Sequence, residues 1–388
     1  MNLRHSILLV TVAFGAGALF TLWKRNELPL ISPTTQTELP EQAPSTAELK
    51  SNAFALRALH AALECTEGNV LLAPHALAEN LRNLQQISRG ATQAELNTLP
   101  LGTEQQTAAE AAGEVAVLFS DSAMAIHNTA PLDSTIPVPL GGKAGEPIQL
   151  LNSILNEATS EVHTHFISSE HLPADARLIS FCALSLRPTW KQPVLAAKTE
   201  NADFFNANGG MPQIRTVQTK GAFCIAKAPD DAWQAIAIPL QLSSASAKDE
   251  CLLLIAPREH SARQFAQKLT QEQLTDIQKA VADAEPTSVC VEFPRLSFAP
   301  PTQDLLPLLQ ALGLKNTLSP QADLSGLATD KPLFLNAALQ KCRIPLIENK
   351  PDTPQDLPDV RFDKPFIWMI GSLRSPAPPY AMGIVENL

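Results

Sequence analysis

Apolar residues recur at helical spacing in three segments of the chain. Residues 51–63, 76–87 and 147–158 carry them at every third or fourth position, which is the period of a helix that packs one face against a core. The third segment opens with proline, which is tolerated in the first turn because no intrahelical bond needs its nitrogen. The pattern therefore predicts three amphipathic helices.

Five other segments are short runs of β-branched, aromatic and aliphatic residues bounded by turn residues. They are residues 177–186, 235–240, 250–256, 288–293 and 365–370. Such runs predict strands, several of them buried on both faces. Because helical and strand segments alternate without the regular rhythm of a parallel βαβ sheet, the predicted fold class is α+β.

The N-terminal end is set aside from the fold. Residues 7–23 form an uncharged apolar run flanked by basic residues on both sides, barely long enough to span a bilayer. Trp23 beside two basic residues suits a membrane interface, so residues 1–26 are interpreted as an uncleaved signal-anchor. The alternative is a signal peptide cleaved after the small residues 16–18. The domain is then expected outside the cytoplasm, either anchored in a membrane or, after cleavage, secreted.

The chain beyond this segment divides once. Residues 27–48 are rich in Pro, Thr, Glu and Gln and have no apolar period, which predicts a disordered linker. Residues 49–388 contain no internal repeat and no second linker of this kind. They are therefore predicted to form one large domain.

Composition limits the classes of partner. Of the 388 residues, 45% are hydrophobic and 18% are charged, which is typical of a folded chain rather than a disordered one. The formal net charge is -10 at pH 7, so the chain has no electrostatic attraction to a polyanion. Nucleic acid and heparin are therefore not expected as partners.

The sequence lacks the short motifs of common catalytic and cofactor sites. It has no G-x-S-x-G, no phosphate-binding G-x-x-x-x-G-K-[ST], no H-E-x-x-H and no G-x-G-x-x-G, so neither an enzyme nor a cofactor is predicted. The six cysteines form no C-x-x-C pair and lie mostly in apolar runs, which indicates buried thiols. His163, His165 and His171 are close enough in sequence to suggest zinc, but no fourth ligand lies nearby, so a polar connection is predicted instead.

Eight short motifs resemble those of one known family and occur in the same order. They include N-V-L-L-A-P at residues 69–74, S-R-G-A-T-Q-A-E-L at residues 88–96, A-D-L-S-G at residues 322–326 and R-F-D-K-P-F at residues 361–366. The others lie at residues 177–190, 293–296, 309–314 and 382–385. Together and in this order they resemble the serpin family from about residue 52 to the C-terminus.

The resemblance implies a single α+β domain with three β-sheets and about eight helices. In inhibitory serpins a protease cleaves an exposed reactive loop, and the loop then inserts as a central strand of the main sheet and distorts the acylated protease. By the resemblance, the loop of this chain would begin at Glu348 and end before Val360. Whether the chain can inhibit in this way depends on whether this segment can insert.

Residues 348–359, which read ENKPDTPQDLPD, are predicted to be a remnant of the reactive loop. The segment is shorter than the family's hinge and loop, and Lys350 stands where the family has a hinge glycine. Pro351, Pro354 and Pro358 cannot donate to a ladder, and proline is excluded from central strands. Because successive N–H groups point to opposite neighbours, the three prolines would interrupt both ladders, at about 1–3 kcal/mol for each acceptor left unpaired.

Four positions correspond to the polar group that governs opening of the main sheet in the family. They are Ala73, Ala76, Cys182 and Gln340. By the resemblance, three have lost a hydrogen-bonding side chain and the fourth has changed from histidine to glutamine. The expectation is a degenerate sheet-opening switch and a sheet interior that is simply packed.

The resemblance also places Cys182 and Cys342 on the two strands that separate when a loop inserts. Two arrangements stay open for this pair. The thiols are either buried and free, or joined by a disulfide in an oxidising compartment, provided that their Cα atoms lie within about 7 Å.

Two further features follow from the resemblance. The helix that binds heparin in some relatives corresponds to residues 103–115, which are acidic here. Trp190 and Trp233 match tryptophans of the fold and are interpreted as packing residues.

Three functions remain open from the sequence. The first is a non-inhibitory serpin-fold protein, tethered to a membrane through residues 7–23, that serves as a binding or scaffolding module for a protein partner. The second is reversible inhibition of a serine or cysteine protease by the short loop without insertion. The third is carriage of a small molecule in a surface pocket.

Overall fold

The computed structural model describes eleven stretches of the chain. They are residues 46–101, 113–127, 135–141, 145–159, 165–196, 202–242, 250–258, 261–329, 332–346, 357–374 and 377–388. A compact unit extends from Thr46 to Leu388. Its first residue opens a helix, so the last residues of the predicted linker belong to that helix.

The described residues contain seven α-helices and one 3-10 helix. They are α1 (Thr46–Cys65), α2 (Pro74–Ile87), α3 (Gly90–Leu96), α4 (Glu146–Thr159), the 3-10 helix Ser169–His171, α5 (Ala262–Lys268), α6 (Gln271–Ala282) and α7 (Leu306–Ala311). Helices α1, α2 and α4 confirm the three amphipathic helices predicted from the apolar spacing. The α2 helix opens with Pro74, where proline fits because the first-turn nitrogen needs no partner.

Eighteen strands are present in the same stretches. They are β1 (Val70–Leu72), β2 (Glu114–Asp121), β3 (Thr135–Val138), β4 (Leu178–Ser185), β5 (Thr189–Trp190), β6 (Val194–Ala196), β7 (Ala202–Asp203), β8 (Gln213–Ile214), β9 (Thr216–Lys227), β10 (Trp233–Gln241), β11 (Glu250–Pro257), β12 (Thr287–Pro294), β13 (Leu296–Phe298), β14 (Gln303–Asp304), β15 (Ala337–Leu346), β16 (Val360–Arg361), β17 (Phe366–Ser372) and β18 (Ala381–Val385). Strands β4, β10, β11, β12 and β17 confirm the five strands predicted from the apolar runs.

The strands form three sheets, which confirms the predicted α+β class. The largest sheet has ten strands in the order β1-β18-β17-β11-β10-β9-β12-β16, with β5 beside β10 and β6 beside β9. The second sheet has six, in the order β13-β15-β4-β2-β3, with β14 beside β15. The third pairs β7 with β8. Within the second sheet β4 and β15 are parallel neighbours, although they lie far apart in the sequence.

Strand β4 separates two apolar clusters. All eight of its residues are buried, as predicted for a strand covered on both faces. Cys182 and Leu184 belong to the main core. Phe181 and Ala183 point the other way, into a smaller cluster that includes Leu151 of α4. Successive side chains of a strand alternate between faces, so β4 forms the wall between the main core and the layer under α4.

Helix α3 is tied to the loop after α7 by a carboxylate. Glu95 Oε1 accepts backbone hydrogen bonds from Lys315 at 2.6 Å and Asn316 at 2.8 Å. Its Oε2 accepts from the backbone of Thr317 at 2.9 Å and from the Thr317 hydroxyl at 2.8 Å. We call Glu95 and its three donor residues the α3 carboxylate nest.

Close packing explains why glycine stands at the end of the A-D-L-S-G motif. The N–H of Gly326 donates to the Ile87 carbonyl at 2.9 Å. A Cβ at Gly326 would lie 2.6 Å from that same carbonyl oxygen, closer than a carbon atom can approach. The two motifs at residues 88–96 and 322–326 therefore meet in space and hold each other in place.

Two sequence predictions concern segments only partly described. Glu114 and Val115, the end of the predicted acidic helix, belong to β2, so the helix assignment is wrong for these two residues. Residues 103–112 lie outside the described stretches, as does the predicted membrane segment, residues 7–23. No helix among the described residues has the length and hydropathy to cross a bilayer.

Candidate functional site

The candidate site is the seam between β4 and β15, where the family would insert its loop. Seven residue pairs join the two strands directly, from Ile179 opposite Ala337 to Ser185 opposite Arg343. Both strands use this edge to pair with each other, so no strand lies between them. The structure therefore shows a closed sheet at this seam.

Gln340 lies at the centre of the seam with no exposed surface. Its Oε1 accepts the backbone N–H of Ala73 at 2.8 Å, and its Nε2 donates to the Leu71 carbonyl at 3.1 Å. The same amide nitrogen lies 2.7 Å from Gln303 Oε1. A single side chain on β15 thus joins this strand to β1, to the residue before α2 and to β14.

Asn80 makes the matching connection from α2 to β4. Its buried amide nitrogen lies 3.0 Å from Ser180 Oγ, 2.9 Å from the Phe181 carbonyl oxygen and 3.3 Å from Cys182 Sγ. Its Oδ1 has no hydrogen-bond partner among the described residues. Asn80 is therefore a functional residue of the seam that the sequence analysis missed. The signal was available, because Asn80 interrupts the apolar face of α2 between Leu77 and Leu84.

Three of the four predicted switch positions meet at the seam, namely Ala73, Cys182 and Gln340. Ala73 and Ala76 have no exposed surface, and Ala73 contributes its backbone N–H to Gln340. Cys182 contributes its sulfur to Asn80. The sequence analysis expected an interior that is simply packed. The structure differs, because Asn80 and Gln340 keep polar contacts there. Both amides are neutral, so these contacts do not depend on a titrating group.

A buried acid and base connect α2 with β2. His75 Nδ1 is 3.1 Å from Glu114 Oε1, with 5% and 1% of the two side chains exposed. Burial raises the pKa of Glu114, and the imidazole lowers it only in part. Burial alone would lower the pKa of His75, but the Glu114 carboxylate outweighs burial and raises it. The folded protein therefore holds protons on this pair more tightly than the unfolded chain does.

Cys182 and Cys342 lie on the same face of the sheet. The Cα partner of Cys342 is Leu184, two residues after Cys182, and both thiols are buried and free. Burial raises the pKa of the Cys182 thiol to about 12 despite its contact with Asn80. Burial also raises the pKa of Cys342, helped by nearby Cys182 and Glu114. The two thiols are thus offset by two residues along the seam, in an environment that opposes thiolate formation.

The predicted remnant loop is described only at its end. Glu348, Lys350, Pro351 and Pro354 lie outside the described residues, and Pro358 is half-buried. After it, the Asp359 N–H donates to the Cys290 carbonyl at 2.8 Å, and the Cys290 N–H donates to Asp359 Oδ2 at 2.7 Å. These two bonds fix the point at which the chain enters β16 and pairs with β12.

The other residues singled out in the sequence have structural places. His171 Nδ1 accepts the Ser168 N–H at 3.1 Å and caps the 3-10 helix, while His163 lies outside the described stretches. Trp190 packs against Phe293 with ring centroids 5.8 Å apart. Trp233 is half-buried against the core. Among the described residues no group of three or more His, Cys, Asp or Glu side chains is arranged to hold a metal.

Comparison with known sequences finds serpins. A family profile described as serpin (serine protease inhibitor) matches residues 142–387, more than half of the chain. The alpha-1-antitrypsin-like protein GS55-MS of Ictidomys tridecemlineatus is 33% identical over 145 residues, which are 35% of this chain and 34% of that protein. The alpha-1-antitrypsin of Meriones unguiculatus is 26% identical over 252 residues, which are 62% of this chain and 59% of that protein. Each match spans less than two thirds of the relative's own length.

Solved structures agree with the described architecture. A tumour suppressing serpin superposes with a TM-score of 0.73 at 16% identity, covering 88% of this chain and 99% of that one. Uncleaved ovalbumin superposes with a TM-score of 0.73 at 14% identity, covering 89% of this chain and 100% of that one. At these identities the likeness shows the fold alone.

Proposed function

This chain belongs to the serpin family, and we propose that it is a non-inhibitory member that acts as a binding or scaffolding module tethered to a membrane. It binds a protein partner without the acylation step of the inhibitory serpins and catalyses no reaction. The observation that carries this proposal is the segment between β15 and β16. Its shortness and its three prolines oppose the step on which inhibition depends.

The geometry of the segment supports the proposal. Only thirteen residues separate Leu346, the last of β15, from Val360, the first of β16. To fill the seam, an inserted strand has to replace the direct pairs of β4 and β15 with two new ladders. Pro351, Pro354 and Pro358 would each withhold a donor from those ladders. Three breaks at about 1–3 kcal/mol each remove much of the gain that would drive insertion.

The polar contacts of the seam add a second reason. Opening it would separate β15, held through Gln340, from β4, held through Asn80, while both stay bound to the α2 region. A buried hydrogen bond contributes about 1 kcal/mol, and leaving its groups unpaired costs more. The closed sheet is thereby favoured over the open one.

Exposure to proteases tests the absence of inhibition. The full chain is incubated with a panel of serine and cysteine proteases, and the products are separated in SDS. We expect no SDS-stable complex, and no rise in melting temperature after cleavage between residues 348 and 359, because no strand is added. An inhibitory serpin incubated with each protease is the control that the protease is active. A single SDS-stable adduct with the summed mass of this chain and a protease would contradict the proposal.

A matched variant isolates the role of the prolines. The triple variant Pro351→Thr, Pro354→Ala, Pro358→Thr restores a donor at each position without changing the length. If the prolines are the obstacle, cleavage of this variant raises the melting temperature while cleavage of the native chain does not. A rise of equal size in both contradicts the proposed role of the prolines.

Reversible inhibition by the short loop is a second candidate function, favoured by one observation. Leu357, just before β16, is 87% exposed, and a large exposed apolar side chain suits the primary pocket of a protease. Steady-state assays with a peptide substrate test this function directly. Inhibition that disappears in Leu357→Asp supports it, whereas full protease activity at saturating protein removes it.

The tether rests on the apolar run at residues 7–23. We expect the full chain to stay in the membrane fraction through a carbonate wash. Carbonate removes peripherally bound proteins, whereas an apolar run buried in the bilayer stays there. A chain that begins at Glu48 is expected in the soluble fraction. A mature N-terminus at Leu19 establishes cleavage and replaces the tether with secretion.

A further inference from the structure

A pocket of about 360 Å³ lies between the third sheet and the edge of the largest one. Its walls come from β7, β8, the start of β9, the end of β12, and β16 with the two residues that follow it. This volume falls within the range of small-molecule sites in proteins, about 300–1,000 Å³. The strands of the seam, β4 and β15, belong to the second sheet and do not line this pocket, so it is a separate feature of the fold.

Three aromatic residues line the pocket. Phe205 is 44% exposed, whereas Phe293 and Phe362 are buried with their rings against Trp190 and Phe366. Ile214 of β8 adds an aliphatic wall. The pocket thus offers the side chains of Phe205 and Ile214 to the apolar body of a ligand.

The charges around the pocket are unequal. Carboxylates of Asp203, Glu292 and Asp363 line it, against one guanidinium, that of Arg361. Within the described part of the chain, Arg361 forms no ion pair with any of the three. Three carboxylates against one cation give the pocket a negative potential, which favours a cationic ligand.

Two buried polar groups strengthen this argument. Glu292 is 5% exposed, and the partner that its Oε2 has among the described side chains is the neutral amide of Gln218. A buried carboxylate without a cation is costly, and a paired one is much less so. Thr216 is 8% exposed, and its hydroxyl has no hydrogen-bond partner among the described residues. Both residues line the pocket and present acceptors to a donor-rich ligand.

We propose that this pocket binds a small organic cation, an ammonium, amidinium or guanidinium group carried on an aromatic or aliphatic body. The cation pairs with Glu292 and Asp363, the Thr216 hydroxyl accepts one of its hydrogens, and the body packs against Phe205 and Ile214. Arg361 is an intramolecular competitor for the same carboxylates, because its Cα lies in register with that of Glu292. The inference goes beyond the proposed function and holds whether or not the loop inserts.

Benzamidine and benzoate test the sign of the charge, because they share a ring and differ in the charged group. Calorimetric titration of the full chain is expected to show benzamidine binding at least about tenfold more tightly than benzoate, as one charged hydrogen-bonded pair gives. Glu292→Gln is expected to weaken benzamidine about tenfold. Arg361→Met is expected to tighten it severalfold by removing the competitor.

Two controls keep the test decisive. Asp276→Asn removes an exposed carboxylate of α6 that does not line the pocket, and it is expected to leave benzamidine affinity unchanged. Asp363→Asn serves as the second pocket variant if Glu292→Gln loses the native melting transition. Equal affinity for benzamidine and benzoate, no measurable benzamidine binding, or affinity unchanged in both pocket variants overturns the proposal.

Discussion

Glu95 of α3 and Glu114 of β2 are two glutamates whose pKa values shift in opposite directions. Glu95 is half-buried and accepts four hydrogen bonds in the α3 carboxylate nest. Glu114 is buried, accepts one from His75, and its Oε2 has no partner among the described residues. Burial alone would raise the pKa of Glu95, but the donated bonds of Thr317, Asn316 and Lys315 lower it. Burial raises that of Glu114.

The difference lies in the number of donors around each carboxylate. A carboxylate that accepts several N–H bonds is stabilised as an anion, whereas a buried one with a single partner is stabilised as the neutral acid. The first arrangement contributes a fixed structural joint. The second, between α2 and β2, makes the stability of that region depend on protonation.

Removal of the Glu95 carboxylate is expected to have the largest effect. Glu95→Ala leaves the N–H groups of residues 315–317 without their acceptor, and we expect the free energy of unfolding to fall by about 3 kcal/mol, since bonds to a charged group contribute about 1.5–3 kcal/mol. Urea unfolding measures the change. Asp276→Ala, an exposed acid on α6, is the control and should shift stability by less than about 0.5 kcal/mol. Equal losses in the two variants would contradict the role of the nest.

The sequence predicted the surroundings of the α3 carboxylate nest only in part. The motifs at residues 88–96 and 322–326 pointed to a family fold, and the periodicity and apolar runs predicted α1, α2, α4 and β4 because each buries an apolar face. The donors to Glu95 are backbone groups, however, and no side-chain pattern marks a backbone N–H. Which carboxylate they meet depends on the tertiary fold.

The seam was predicted less well for a related reason. Ala73, Ala76, Cys182 and Gln340 were compared one by one with family positions, and that comparison overlooked Asn80 on the facing helix. A polar group can be supplied from either side of a helix–strand contact. A sequence read along one strand therefore cannot establish that the contact is apolar.

Loss of the Gln340 amide is the second prediction. Gln340→Leu keeps the volume but leaves the Ala73 N–H and the Leu71 carbonyl without their side-chain partner, so we expect the free energy of unfolding to fall by about 2 kcal/mol. Chemical denaturation measures this loss. Gln310→Leu, an exposed position on α7, is the matched control. If both variants lose the same amount, the buried amide contributes nothing specific.

The opposite pKa shifts of the two glutamates give a third prediction, which concerns pH. A lowered pKa means that the contribution of Glu95 is complete above its unfolded pKa of about 4.3 and is lost as pH falls through the folded value. Raised pKa values mean that the contribution of the His75–Glu114 pair is present at low pH and is lost as pH rises through the folded values.

The variant Glu114→Gln separates the two parts of the pH–stability profile, the acid limb due to Glu95 and the neutral limb due to the His75–Glu114 pair. We expect the native protein to lose stability as pH rises above the unfolded histidine pKa of about 6.5, and we expect this variant to lack that decline. Without the carboxylate, burial keeps His75 neutral. The acid limb below pH 4.3 should remain and should disappear in Glu95→Gln instead. Denaturation at a series of pH values measures both limbs, and identical profiles for the two variants would refute the contrast between the sites.

The smallest effect concerns the two thiols beside Glu114, and it separates the two arrangements left open for Cys182 and Cys342. Both sulfurs are buried and free, and burial raises both pKa values, so the reactive thiolate is scarce at neutral pH. We expect native protein treated with iodoacetamide at pH 7.5 to be alkylated at exposed Cys65 and not at these two, without a change in stability. Peptide mapping after alkylation in denaturant should then find both residues modified. If both residues escape alkylation in denaturant and are modified only after reduction, a disulfide forms across the seam and locks β4 to β15.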